Sequence, residues 1–212
     1  MLRKIGRRGR ESRSVGIIWV APSAALLIGY LLGSIPFGLV LTRLAGGGDL
    51  RAVGSGNIGA TNVLRTGRKG LAAATLLLDG AKGAVAVLLA QYIHPDYGVL
   101  GAAGAFFGHC YPLWLRFRGG KGVATYAGIA LALLWPVGLI YAVAWIATLA
   151  ITRYSSLGGM LAAIVVPIAA AWWGAIDVAA LFIALTLIVL WKHRDNIGRL
   201  MAGTEPRVGQ KS

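Results

Sequence analysis

Long apolar runs separated by short polar loops set the pattern of this chain. Apolar stretches cover residues 16–44, 70–92 and 97–115, and two longer tracts run over 122–152 and 156–191. A hydrocarbon core about 30 Å thick is crossed by roughly 20 apolar residues of helix, so each of the first three stretches predicts one span. The longer tracts are punctuated near their middles by Trp135-Pro136 and by Gly174-Ala175-Ile176-Asp177, which predicts a helical hairpin in each. The expected fold class is all-α, a polytopic integral membrane helical bundle of seven transmembrane helices. Five is the alternative, if each long tract crosses once.

Charge placement favours the larger number. With seven spans, Arg51, Arg65, Arg68, Lys69, Arg116, Arg118, Lys121, Arg153, Lys192, Arg194 and Arg199 all fall on one side, while the opposite connections near 93–96, 135–137 and 174–177 hold no lysine or arginine. The basic side is then cytoplasmic, which puts the C-terminus inside and the N-terminus outside. Five spans would place Arg153 outside. The basic tail Met1 to Ser14 fits poorly with an outside N-terminus. It resembles the start of a signal peptide, but the apolar run behind it is long enough to span, so an uncleaved first helix is expected. The domain reading is a disordered basic tail over 1–14, a single membrane domain over 15–200 and a cytoplasmic tail over 201–212.

Composition agrees with this setting. Hydrophobic residues make up 57% of the 212 and charged residues only 13%, more apolar surface than one soluble core of this size hides. The formal charge of +14 invites a nucleic-acid reading, yet the basic residues are scattered over separate loops without one aromatic-interleaved stripe. Contact with anionic headgroups of membrane lipids explains them more simply, and no nucleic-acid partner is expected. The lone Cys110 excludes an intrachain disulfide, and no internal repeat of the transporter kind is visible.

Four polar loops carry the candidate chemistry. In Gly54 to Arg65 (GSGNIGATNVLR), glycines let backbone N–H groups turn toward one anion, Ser55 and Asn57 add donors, and Arg65 adds a fixed charge suited to phosphate. In Arg118 to Thr125 (RGGKGVAT), Lys121 stands between glycines at the start of an apolar helix, where free N–H groups and an ammonium can meet one anion. Arg153-Tyr154-Ser155-Ser156 offers hydroxyls at another helix start. In Trp191 to Leu200 (WKHRDNIGRL), His193 and Asn196 are three apart and share a helical face. Behind the loops, Asp79 and Lys82 are spaced to pair on one face, and His109 closes the third span before a proline. No His/Cys spacing suits zinc, no carboxylate pair suits a proton relay, and none of the three histidines has an aspartate five positions later. No metal and no cofactor are expected. A small transporter or channel for phosphate-bearing solutes is the runner-up function.

Across roughly residues 24 to 208 the chain resembles the bacterial acyl phosphate:glycerol-3-phosphate acyltransferases, the PlsY family. The resemblance rests on GSIPFG at 33–38, VGSGNIGATNVLR at 53–65, DGAKG at 79–83, GHCYPLWLRFRGGKGVAT at 108–125, RYSSL at 153–157 and WKHRDNIGRLMAGTE at 191–205, in that order. It implies a bacterial inner-membrane enzyme that moves an acyl group from acyl phosphate to the 1-hydroxyl of glycerol 3-phosphate. It also implies seven helices with the motif loops cytoplasmic. By this match Ser55, Arg65, Lys121, Ser156, His193 and Asn196 are expected to carry the catalysis. Gly54, Gly56, Asn57, Asn62, Gly119, Gly120 and Gly122 are expected to bind substrate, with Asp79, Lys82, His109 and Glu205 as structural support. Either His193 or the departing phosphate is expected to take the proton from the acceptor hydroxyl.

Overall fold

A computed structural model describes residues 5–210, with side chains from Trp19 onward. Ten α-helices follow one another: α1 (Ile5–Gly33), α2 (Phe37–Leu44), α3 (Ala60–Arg65), α4 (Lys69–Ile93), α5 (Gly98–Cys110), α6 (Val123–Leu133), α7 (Trp135–Thr152), α8 (Ser155–Trp172), α9 (Ile176–Lys192) and α10 (Arg194–Met201). No strand is present among the described residues. Residues 1–4 of the basic tail and 211–212 of the C-terminal tail lie outside the described residues; residues 5–14 open α1.

The apolar tracts are present as helices, with interruptions that local chemistry explains. Residues Trp19–Leu44 run as one candidate span, broken between α1 and α2 at Ser34-Ile35-Pro36, where proline lacks the N–H that a continuous helix needs. The 122–152 tract breaks at Leu134, with Pro136 seated in the first turn of α7, where its missing N–H is harmless. The 156–191 tract turns at Gly174, whose φ of +74° suits a residue without a Cβ. Within the expected span over 97–115 the helix is shorter than the apolar run. Its helix, α5, has 13 residues, about 20 Å at 1.5 Å per residue, and stops before Pro112. Among the described residues, four helical stretches are long and apolar enough to cross a bilayer, and α9 with α10, bent by 59°, makes up to five.

Close packing of small residues holds the bundle. The α1–α5 contact runs along Gly29 and Gly33, which face the carbonyls of Gly101 and Ala105, and along Gly104 and Gly108, which face those of Leu26 and Tyr30; an added Cβ on any of these four glycines would overlap the facing carbonyl. Lipid tails give helices no hydrophobic reason to associate, so this near approach of backbones supplies the van der Waals energy instead. An aromatic cluster forms the deeper core. Tyr126 stacks between Tyr141 and Phe182 at 5.1 and 5.0 Å, with Phe106 edge-on at 6.1 Å. Their polar handles are used. Tyr141 Oη donates to the Val123 carbonyl at 2.9 Å, and Tyr126 Oη lies 3.1 Å from Thr186 Oγ1. The core thereby fixes Val123, the first residue of α6, beneath the polar loops.

Candidate active site

The first loop is wound around one buried amide. Asn62, on α3, donates through Nδ2 to the carbonyls of Leu50, Val53 and Asn57 at 3.0, 2.9 and 2.8 Å, while its Oδ1 accepts from the Ser55 N–H at 3.2 Å. Asn57 Oδ1 accepts from the Ile58 N–H. Gly54 turns through φ +54°, and a Cβ there would sit 2.6 Å from Asn62 Oδ1 and 2.9 Å from Arg65 Cδ, so the loop lies against the Arg65 side chain. Ser55 and Arg65 are both left exposed. Two expectations change here. Asn62 spends its hydrogen-bonding capacity on the loop, and the Gly56 N–H is taken by the Val53 carbonyl at 3.0 Å, so neither presents a free donor to substrate.

A similar correction applies to the second loop. The N–H groups of Gly119 and Gly120 donate to the carbonyls of Cys110 and His109 at 3.2 and 3.0 Å, folding the loop back onto the end of α5. Both glycines are needed for closeness, since a Cβ on either would overlap His109, at its carbonyl for Gly119 and its ring for Gly120. The free donors lie further on. Gly122, at φ +86°, opens α6 with no side-chain cap, which leaves the first-turn N–H groups of that helix without side-chain partners next to Lys121. Behind the loop, Lys82 Nζ lies 2.7 Å from Asp79 Oδ1 and donates to the Ile35 carbonyl at 2.7 Å, while His109 Nδ1 is 3.8 Å from Asp79. All three side chains are buried among helices, away from the loops' open face.

The third corner is organised by Glu205. Its Oε1 accepts from Ser156 Oγ and from Asn196 Nδ2, each at 2.6 Å, and its Oε2 accepts from Arg199 Nε at 2.7 Å. Asn196 Oδ1 in turn accepts from Lys121 Nζ. Thr61 Oγ1 lies 3.0 Å from Ser155 Oγ and ties α3 to the start of α8. A single chain of contacts therefore joins the α3 loop, the α6 and α8 N-termini and α10. His193, at the junction of α9 and α10, has Nδ1 2.8 Å from the Val189 carbonyl, which assigns the proton to Nδ1 and leaves Nε2 as a lone pair.

The electrostatics follow from this packing. Burial, reinforced by Arg199 and Arg65, lowers the Lys121 ammonium to about 8. Burial raises the Glu205 carboxyl, but hydrogen bonds from Ser156, Asn196 and Arg199 outweigh it and hold the group below its ordinary value. The site thus keeps a fixed anion at its back and a titratable cation at its mouth. No group of His, Cys, Asp and Glu able to hold a metal occurs among the described residues.

Comparison with known proteins follows the same lines. The glycerol-3-phosphate acyltransferase family model matches residues 23–203. The chain belongs to the glycerol-3-phosphate acyltransferase family. A glycerol-3-phosphate acyltransferase of Rhodopseudomonas palustris (strain BisB5) is 60% identical over 189 residues, 89% of this chain and 96% of the relative. One from Mesorhizobium japonicum is 59% identical, over 88% of this chain and 96% of the relative. A crystal structure of PlsY (YgiH), an integral membrane glycerol 3-phosphate acyltransferase in its glycerol 3-phosphate form, superposes with TM-score 0.84 at 35% identity, covering 89% of this chain and 96% of that one. Its lysophosphatidic acid form gives 0.82 at 33% identity, over 89% and 95%. This acyltransferase-family chain is accordingly an all-helical integral membrane protein.

Sequence reasoning missed Arg199 and Thr61. Arg199 had a readable signal, because His193, Asn196 and Arg199 recur every three residues and so continue one helical face. Thr61 had none, since its partner Ser155 is 94 residues away.

Proposed function

We propose that this protein transfers a fatty acyl group from acyl phosphate to the 1-hydroxyl of glycerol 3-phosphate, giving 1-acylglycerol 3-phosphate and inorganic phosphate. The observation that carries the mechanism is the chain of contacts from Lys121 through Asn196 and Glu205 to Ser156. It brings an ammonium, a hydroxyl and two uncapped helix starts together, with the His193 imidazole on the α9–α10 junction beside Asn196. Both substrates carry phosphate, and such a constellation neutralises and orients phosphate without a covalent enzyme intermediate. Arg65, Ser55 and Asn57 on the first loop, with Lys121 and the α6 start on the second, hold the two phosphates. Asn62, Gly119 and Gly120 shape those loops. Ser156 and Asn196 are oriented by Glu205.

In the reaction the acceptor hydroxyl oxygen forms a bond to the acyl carbonyl carbon, and the bond from that carbon to the phosphate oxygen breaks. The hydroxyl proton passes either to His193 Nε2 or to the departing phosphate. Helix starts and Lys121 stabilise charge on the leaving group as it develops.

For the topology, we propose seven crossings by α1–α2, α4, α5, α6, α7, α8 and α9, an outside N-terminus and a cytoplasmic C-terminus in the bacterial inner membrane. The supporting pattern is one end rich in arginine and lysine, and another bearing exposed Tyr92, Trp135, Trp172 and Trp173. Acyl phosphate partitions from the surrounding lipid, and a single membrane domain over 15–200 contains the whole site.

The test is phosphate release from synthetic acyl phosphate by purified protein, with and without glycerol 3-phosphate. Acceptor-dependent release with stoichiometric 1-acylglycerol 3-phosphate is expected. Solute uptake without acyl transfer would overturn the assignment in favour of a transporter.

A further inference from the structure

The carboxylate that organises the site is borne by a strap with almost no core of its own. Residues 203–210 follow α10 without regular structure, and of them only Glu205 is buried. The N–H groups of Thr204 and Glu205 donate to the Arg199 carbonyl, which fixes the strap's start. Beside it opens a cleft of about 690 Å³, lined by the strap and by Arg153 and Tyr154. Packing therefore does little to keep Glu205 in position.

Polar contacts to two residues of another element hold the far end. Arg153 occupies the two-residue link between α7 and α8 with φ +63°, a left-handed conformation that is unfavourable for a residue bearing a Cβ. Its carbonyl accepts from the Val208 N–H at 2.8 Å, and its guanidinium donates back to the Val208 carbonyl, through Nε at 3.2 Å and Nη2 at 2.8 Å. Both backbone groups of Val208 are thereby satisfied by one arginine. Next to it, Arg207 Nε donates to Tyr154 Oη at 3.3 Å, with the guanidinium 5.4 Å from the Tyr154 ring centre. The clasp and the groups it serves are adjacent in sequence, since Ser155 and Ser156 begin α8 immediately after Tyr154.

We infer that Arg153 is a positioning residue of this enzyme: with Tyr154 it clasps the C-terminal strap so that Glu205 stays inserted between Ser156, Asn196 and Arg199. The inference rests on the acyltransferase reading above, and wild-type acyl transfer measured in parallel separates the two. Without wild-type transfer the reading itself fails. With it, the variants decide on the clasp.

The experiment compares Arg153→Gln, Arg153→Lys and Tyr154→Phe in purified enzyme for kcat, both KM values and deuterium uptake of residues 203–210. Misplacing a group by about 1 Å costs up to about a hundredfold in rate, so Arg153→Gln is expected to lower kcat between about tenfold and a hundredfold. Strap exchange should accelerate in the same protein while the α8 amides stay protected. Lysine, able to donate to the Val208 carbonyl but without the fork, should restore part of both. Tyr154→Phe should have a smaller effect of the same kind. In a Glu205→Gln background, Arg153→Gln should add no further loss, because its route of action is already removed. Unchanged kcat with a loosened strap, a lowered kcat with strap protection intact, or additive losses in the double variant would each overturn the inference. If the Glu205→Gln protein does not fold, exchange and turnover of the Arg153 variants decide it alone.

Discussion

Two buried clusters of charge flank the Gly119–Lys121 loop, and they are built on opposite plans. At the back of the site, Glu205 takes hydrogen bonds from a hydroxyl, an amide and a guanidinium, all at 2.6–2.7 Å. Within the bundle, Asp79 has one close cation, Lys82, and His109 Nδ1 is left without a hydrogen-bond partner. A carboxylate with three donors fixes the orientation of each donor and so transmits position to groups proposed to meet substrate. An ion pair enclosed by helices is fixed by its surroundings and transmits little. The first cluster should govern turnover and the second should govern stability.

The largest effect tests the working end of the first cluster. Lys121→Ala should reduce kcat/KM for glycerol 3-phosphate by about a thousandfold, about 4 kcal/mol of transition-state stabilisation, with the protein still folded. Steady-state kinetics with synthetic acyl phosphate measures it. Wild-type constants would remove Lys121 from the mechanism. Glu205→Gln comes next. It keeps the shape but weakens three charge-assisted bonds, and the expected loss is about a hundredfold, mainly in kcat. An equal loss from Asp79→Asn would erase the distinction between the clusters.

For Asp79→Asn the expectation is different in kind. It leaves Lys82 buried without its counter-charge, which costs about 3–5 kcal/mol of stability. Replacing both partners, as Asp79→Leu with Lys82→Met, should recover most of that loss, because no charge then remains to be buried. Thermal unfolding in detergent reports the stability, and turnover per folded molecule should stay within about threefold of wild type in the double variant. A stable double variant with lost turnover would show that the inner cluster acts on the site through His109 and Gly120.

What the sequence made legible was set by interaction range. Apolar run lengths found the helical tracts, and Pro136 and Gly174 marked real breaks because their effects are local. Asp79 and Lys82 were readable as a pair because helical spacing brings them together. The shortness of α5 was hidden by apolar residues that continue past Pro112 in a single 3-10 turn. The loops were readable as anion sites, but not which donors were free. Gly119 and Gly120 read as phosphate-facing, yet they serve the end of α5, and that distinction depends on tertiary contacts. The same holds for the strap, where Arg153 meets a carbonyl 55 residues away.

The smallest effect follows from the one titrating charge at the mouth. Lys121 is lowered to about 8, first by burial, so its charged form is complete only below that pH. In the proposed mechanism the ammonium binds phosphate, and the free enzyme should therefore lose kcat/KM for glycerol 3-phosphate as pH rises through about 8, by roughly twofold between about pH 7 and pH 8. Bound phosphate raises the lysine again, since the charged form gains a partner. The decline in kcat should accordingly lie at higher pH than the decline in kcat/KM, and binding above pH 8 should take up a proton, measurable by calorimetry in buffers of different ionisation heat. Lys121→Arg keeps its charge throughout and should lack the alkaline decline, though with lower activity because the guanidinium fork does not match an ammonium's position. The inner cluster makes no such demand. An alkaline decline that persists in Lys121→Arg and vanishes in the Asp79→Leu, Lys82→Met protein would assign the titration to the bundle interior and reverse the roles given to the two clusters.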